Sequence, residues 1–230
     1  MTAPSPEEPK LVRPVVRSFP TPIGRTDRRP HLLSADVHTT LVAVDITGYG
    51  DPSRDTGVHL RLREGLYDHL VEAFTITGLP WWECHREDRG DGAFIVAPAG
   101  TEPGYFLDPL AHHLNAILRR ENRLVSDTIR IQLRMAVHYG RVIYDRHGVA
   151  GRAATHLFRL LEAAAFKRAA RTAAADLAMI VSDRLYADVA QRGGLLDPAA
   201  YRQILITNKE TRRTPAWLWL PPGRPARRQD

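Results

Sequence analysis

The sequence holds a single cysteine, Cys84, no internal repeat, and no apolar run long enough to span a bilayer. One thiol excludes an internal disulfide and fits a reducing compartment. A membrane-crossing helix needs about 20 consecutive apolar residues, so none is expected. A basic-then-apolar leader is missing as well. These absences together predict a soluble, cytoplasmic protein. Basic charge is scarce where a nucleic-acid surface would need it. The formal net charge is +6, yet residues 1–35 contribute +3 and residues 207–230 contribute +4, which leaves −1 for everything between. That near-neutral middle, and the lack of an aromatic RNA-binding strand motif, argue against a specific nucleic-acid partner. Arg- and Pro-rich ends such as Arg224-Pro225-Ala226-Arg227-Arg228 read as solvated tails.

What remains suffices for one domain with its own core: 230 residues, 43% of them hydrophobic. Residues 1–35 are proline-rich and without apolar period, so a disordered leader is expected there, with the domain over 36–220 and a basic tail over 221–230. Leu41-Val42-Ala43-Val44 reads as a buried strand. Val58, Leu62, Leu66 and Leu70 repeat at helical spacing, and Gly78-Leu79-Pro80 ends that helix. Trp81 to Glu87 is expected to form a strand that turns at Arg89-Gly90 into another, Asp91 to Ala97. Phe106 to Leu118 sets out a second amphipathic helix; His112 and His113 are adjacent on it and face different ways, a poor metal pair. Ile129 to His138 alternates apolar and polar residues, the clearest strand signal in the chain. A turn at Gly140, a return strand Arg141 to Tyr144 and a turn at Arg146-His147-Gly148 follow, then a helix carrying Leu157, Leu160, Leu161 and Ala164. Leu177 to Val181 reads as a strand and Ser182 as the N-cap of a helix Asp183 to Gln191, with Tyr201 to Thr207 and Ala216 to Leu220 as closing strands. This order predicts an α+β sandwich with helices on one face of a mainly antiparallel sheet.

Two acids carry the chemistry. Asp45 ends the first strand and precedes a glycine turn, Thr47-Gly48-Tyr49-Gly50, while Asp91 sits between glycines at a hairpin tip. A strand-end acid serves equally to cap the turn after it. Two such acids at the ends of neighbouring strands, however, can share a pair of hard cations, the arrangement for in-line attack on a nucleotide phosphate. Amides of the glycine turn would then face phosphate oxygens.

With Arg159 and Lys209 added, the pattern resembles the catalytic domain of class III nucleotidyl cyclases over residues 39–220. It is most similar to the bacterial pyrimidine cyclases of the Pycsar antiphage systems, the uridylate cyclases in particular. The family's strand-end element matches Asp45-Ile46-Thr47-Gly48-Tyr49, and its hairpin Gly-Asp matches Gly90-Asp91. Its helix arginine corresponds to Arg159 in His156-Leu157-Phe158-Arg159-Leu160, and its late lysine to Lys209 in Asn208-Lys209-Glu210. Two positions depart from the pattern. Thr155 stands where the family usually has Asn; a hydroxyl still hydrogen-bonds, without the two-headed contact of an amide. Glu87 stands where adenylate cyclases have a base-reading lysine. Guanylate cyclases also place Glu there, so Glu87 argues against ATP without separating GTP from a pyrimidine. The run Glu87-Asp88-Arg89-Gly90-Asp91-Gly92 and Tyr49 tilt the resemblance toward UTP.

The resemblance implies a ferredoxin-like α+β sandwich, a mainly antiparallel sheet with helices packed on it. It implies two divalent cations, Mn2+ or Mg2+, on Asp45, Asp91 and the Ile46 carbonyl, with Arg159, Lys209 and Thr155 as catalytic groups. Thr47, Gly48, Tyr49 and Glu87 would contact the nucleotide. A head-to-tail homodimer follows, the metal acids coming from one subunit and the base and transition-state groups from the other. The implied product is 3′,5′-cyclic UMP with pyrophosphate, read in antiphage defence by a separate cyclic-nucleotide-sensing effector. Cytidylate, guanylate or adenylate cyclases of the same fold are the alternatives, as is a cyclase-like module that only binds nucleotides.

Overall fold

The computed structural model describes residues 35–193, 196–208 and 211–221. The expected leader save its last residue, nearly all of the expected tail, and Lys209 therefore lie outside the described residues. In chain order the strands are β1 (Ala35–Ile46), β2 (His85–Asp88), β3 (Gly92–Val96), β4 (Leu133–Asp145), β5 (Gly148–Ala150), β6 (Leu177–Ser182), β7 (Tyr201–Asn208) and β8 (Thr211–Trp219). Helices α1 (Thr56–Thr77), α2 (Leu110–Glu121), α3 (Arg152–Leu161), α4 (Ala164–Ala173) and α5 (Asp183–Arg192) pack on them. One sheet runs in the order β2-β3-β1-β4-β6-β8-β7, with β5 hairpinned onto β4. Among the described residues only the β4–β6 pairing is parallel. No described helix is long and apolar enough to cross a membrane.

The helices cover both faces of the sheet, which corrects the one-face expectation. Leu66 and Phe74 of α1, Leu114 and Leu118 of α2 and Leu185 of α5 pack with Val42, Val44, Met135 and Val137 on one face. Leu157 and Leu160 of α3 and Phe166 of α4 pack with Leu41, Ala43, Ala136 and Ile180 on the other. The cause is visible in the unbroken run Leu41-Val42-Ala43-Val44: side chains alternate across a strand, so a strand apolar at every position needs cover on both sides.

Other boundaries also shift. The alternating strand starts at Leu133, since Asp127–Ile129 is a 3-10 turn, and it runs straight through Gly140 to Asp145. Gly140 marks close approach, not a turn: a Cβ there would lie 2.7 Å from the Ala153 Cβ and 2.9 Å from His138 Nε2. Trp81–Glu83 forms a 3-10 turn where a strand was expected, and Pro103–Phe106 forms another before α2. The single helix expected around Leu157 to Ala164 is two, broken at Glu162 and Ala163. Ser182 does precede α5, but its hydroxyl bonds His138 Nδ1 at 2.8 Å and makes no side-chain cap.

A buried polar clamp ties the two central strands to α2. The Asn122 amide donates to the Ile131 carbonyl and to Asp176 Oδ1, each at 2.8 Å, and accepts from the Ile131 N–H at 2.9 Å. Arg130 completes it on Asp176 at 3.0 Å. Asn122→Ala leaves these groups buried without partners and is expected to cost about 2–3 kcal/mol in urea denaturation; a loss below about 0.5 kcal/mol would remove the clamp from the account.

His138 makes stability depend on pH. Burial, and then the nearby charges of His156 and Arg184, push its pKa down to about 3. The fold holds the neutral ring. Its contribution is therefore complete above the unfolded-state value of about 6.5 and is lost progressively as pH falls from there toward 3. Between pH 7 and 5 the wild type is expected to lose about 1–2 kcal/mol that a His138→Gln variant does not lose, as read from paired denaturation curves.

Candidate active site

The ends of β1, β3 and β4 bring three charged residues together. Antiparallel register sets Asp45 opposite Gly92 on one side and opposite Arg134 on the other. The Ile46 N–H donates to the Asp91 carbonyl at 2.8 Å, so the two expected metal acids lie on adjoining chain segments. Gly92 permits this closure, because a Cβ at that position would meet the Val44 carbonyl oxygen at 2.0 Å. Asp45 is 6% exposed, whereas Asp91 stands in solvent at the hairpin tip.

Arg134 is the residue that sequence reasoning missed. Its Nε donates to Asp45 Oδ1 at 2.8 Å and its Nη2 to Oδ2 at 2.6 Å, a bidentate pair inside the sheet. Burial drives the Asp45 carboxyl up to about 6; Arg134 opposes that rise, and the charges of Asp91 and Glu162 add to it. The carboxyl is therefore ionised at neutral pH. The alternation of β4 marked Arg134 as polar, and nothing short of strand register tells which polar residue of β4 faces Asp45.

In the glycine turn most backbone groups are already engaged. Gly48 takes φ +69°, the left-handed region that suits glycine. The Thr47 N–H donates to the Gln132 carbonyl at 2.8 Å and the Tyr49 N–H to the Ile46 carbonyl at 3.3 Å. Among the described residues nothing accepts from the Gly48 or Gly50 amides, so they replace the full Thr47–Gly50 set as candidate anion donors. The Ile46 carbonyl keeps a second lone pair. Tyr49 is packed: its ring stacks on His59 at 4.3 Å, and its carbonyl lies 2.8 Å from His59 Nε2.

Glu87 lies where two hairpins meet. Its Oε1 is 3.0 Å from His85 Nε2, and its Oε2 accepts from Arg89 Nη2 at 2.7 Å. The Arg89 guanidinium lies 5.1 Å from the Phe158 ring of α3. A Cβ on Gly148, at the start of β5, would fall 2.8 Å from Glu87 Oε1, so this carboxylate abuts the β4–β5 hairpin.

Thr155 and Arg159 occupy a different place. They line a cleft of about 670 Å³ on α3 together with Gly151, Arg152 and His156. The Thr155 hydroxyl donates to the Gly151 carbonyl at 3.3 Å, and the Arg159 carbonyl accepts from Asn208 Nδ2 at 3.2 Å. Asn208 directly precedes Lys209. Neither Asp45 nor Asp91 lines this cleft. Within one chain, Asp45, Ile46 and Asp91 are thus together, and Thr155 and Arg159 are together elsewhere.

Three hard oxygen donors suit Mg2+ or Mn2+, which take few protein ligands and complete their shell with water and substrate phosphate. Asp45, Asp91 and the Ile46 carbonyl meet that description. Burial is the main cause of the rise at Asp45, and the repulsion from Asp91 that adds to it is what a bound cation relieves. Among the described residues no cluster of three or more His, Cys, Asp or Glu has the geometry of a self-sufficient metal site. A cation at these acids must accordingly share Asp45 with Arg134.

Solved structures of cyclase domains share the architecture. The guanylyl cyclase Cya2 is 14% identical with a TM-score of 0.59, covering 85% of this chain and 97% of that one. An adenylate/guanylate cyclase/hydrolase from Silicibacter pomeroyi is 18% identical with a TM-score of 0.58, covering 82% and 99%. The guanylate cyclase domain of RhGC from Catenaria anguillulae, solved with GTP, is 16% identical with a TM-score of 0.54, covering 80% and 97%. No family model and no curated protein matches the sequence. At these identities the likeness is one of fold.

Removing Arg134 strands a buried carboxylate. Arg134→Ala is expected to destabilise the protein by about 3 kcal/mol, and Asp45→Asn in the same chain to recover at least half of that, in paired denaturation curves. Additive losses in the double variant would show that the two side chains do not act as a pair.

Proposed function

We propose that the protein is a nucleotidyl cyclase that converts UTP to 3′,5′-cyclic UMP and pyrophosphate. The observation that carries this reading is the Ile46–Asp91 backbone bond, which sets two acids on adjoining strand ends in a fold shared with adenylyl and guanylyl cyclases. Asp45, Asp91 and the Ile46 carbonyl would hold the divalent cations, Mn2+ or Mg2+. Bound there, the cations supply Lewis acidity toward the ribose 3′-hydroxyl and the phosphates. Arg134 keeps Asp45 ionised and oriented. The 3′ hydroxyl loses its proton to solvent water, its oxygen attacks the α-phosphorus, and pyrophosphate departs as the α–β bridging bond breaks. Arg159 and Lys209 neutralise charge that develops on the phosphates, Thr155 hydrogen-bonds the sugar or reacting phosphate, and the Gly48 and Gly50 amides face phosphate oxygens.

A second copy of the chain completes the site. Since Thr155 and Arg159 do not line the place where Asp45 and Asp91 sit, a head-to-tail homodimer would bring one chain's acids to the other's α3 cleft. Glu87, already held by His85 and Arg89, would present a fixed carboxylate to the base. The choice of uracil, and a role for the product as an antiphage messenger read by a separate effector, rest on the resemblance in the motifs. A nucleotide-binding module without turnover is the second reading, favoured by Arg134 on both Asp45 oxygens and by threonine at 155.

Incubation with each of UTP, CTP, GTP and ATP in Mn2+ separates the readings. Cyclic UMP is expected as the main product, and Asp91→Ala is expected to lower its rate at least a hundredfold while leaving the melting temperature within about 2 °C, Asp91 being exposed. No cyclic product from any of the four would leave the binding module in front. A purine product would overturn the choice of base alone.

A further inference from the structure

A second cleft opens where β4 runs on beyond β6. The parallel pairing of these strands ends at Val137 and Val181, while β4 continues to Asp145, so its edge from His138 onward faces a cavity of about 470 Å³. Helix α3 begins on one side of this opening and α5 on the other. His38, His138, Arg141, Arg152, His156 and Arg184 line it, and no lining residue is an acid. Gly140 forms its floor, where a side chain would collide with Ala153 and His138.

The surrounding acids offset this positive charge only in part. Asp36 pairs with Arg141 at 3.2 Å, and Asp188 reaches Arg184 only at 4.0 Å. Asp183, in the first turn of α5, is turned toward β8, where its Oδ1 accepts from Trp217 Nε1 at 2.9 Å. Arg152 makes no ion pair among the described residues. Both helix starts lack a side-chain cap: Gly151 has no side chain to offer, and the Ser182 hydroxyl is taken by His138. Uncapped first-turn N–H groups carry partial positive charge.

We propose that this cleft binds a phosphate-bearing anion through Arg141, Arg152 and Arg184, which reach it from β4, α3 and α5. Three guanidinium forks from three elements match an anion with several oxygens and more than one negative charge, which a phosphate or pyrophosphate supplies and a single carboxylate does not. The starts of α3 and α5 contribute Arg152 and Arg184 to the lining, so the positive ends of both helix dipoles lie at its border. The cavity is of ligand size, larger than a lone chloride would need. It shares Arg152 and His156 with the α3 cleft of Thr155 and Arg159, so its occupant lies beside that cleft without using Asp45 or Asp91. Binding here does not depend on the cyclase reading.

Calorimetric titration of the full chain with sodium pyrophosphate in excess EDTA tests the site, because chelation removes any cation-dependent phosphate binding at Asp45 and Asp91. Saturable binding is expected, weakened at least tenfold in an Arg152→Gln/Arg184→Gln variant and unchanged in Asp91→Ala. Both arginines are exposed, and either single variant, expected to weaken binding at least threefold, serves if the pair does not fold. A parallel titration with UMP reports the source of the phosphate. Loss of UMP binding in the same variant assigns nucleotide phosphates to the cleft as well, and no UMP binding in any protein assigns it to inorganic anions. Absent pyrophosphate binding, affinity indifferent to both arginines, or affinity lost in Asp91→Ala would overturn the proposal.

Discussion

The bidentate pair between Asp45 and Arg134 is the interaction on which the rest of the site depends. Both side chains are largely buried, between two strands that are themselves covered on both faces. An isolated carboxylate in such a place would neutralise itself by taking a proton. Two parallel N–H···O bonds hold the charge where burial disfavours it, and they also fix the direction in which the carboxylate points. Asp91, one backbone hydrogen bond away from β1, then supplies a second negative charge from the solvent side. The result is an acid pair with one member held and shielded and the other exposed to water. A divalent cation is the natural complement to that asymmetry.

The two-faced sheet explains how the remaining groups are distributed. Asp45 and Arg134 share strand parity with Ala43 and Ala136, which belong to the cluster beneath α3 and α4. Helix α3 packs on that same cluster through Leu157 and Leu160, which leaves Thr155 and Arg159 to line the cleft at its outer side. The β2–β3 and β4–β5 hairpins meet at Glu87 and Gly148 near the aromatic pair Phe94 and Phe158. Asp45 and Asp91, then Thr155 and Arg159, and then Glu87 thus sit on separate elements.

Much of this was legible because it is local. The helical repeat of Leu62, Leu66 and Leu70, the strand alternation from Leu133 and the glycine-flanked Asp91 are each written within a few consecutive residues. The partner of Asp45 was not, because Arg134 lies 89 residues away and only register pairs them. Gly140 was misread for a different reason: glycine signals both turns and close approach, and here α3 crowds the strand. Trp81 and Trp82 read as strand by residue type, yet the segment coils into a 3-10 turn with Trp81 buried against Phe74 and the Arg86 guanidinium 4.8 Å from its ring. Tertiary contacts outweighed propensity there. The second helical layer was implied by the unbroken apolar run in β1.

We propose that Asp45 and Asp91 jointly grip divalent cations against a nucleoside triphosphate while Arg134 yields part of its hold on Asp45. The most direct measurement is a crystal structure of the protein with Mn2+ and a non-reacting UTP analogue, with the metal located by its anomalous signal. The account predicts manganese within coordinating distance of carboxylate oxygens from both Asp45 and Asp91, and Arg134 bonded to no more than one oxygen of Asp45. Manganese bound elsewhere, or an Asp45–Arg134 pair that stays bidentate with the analogue bound, would contradict it.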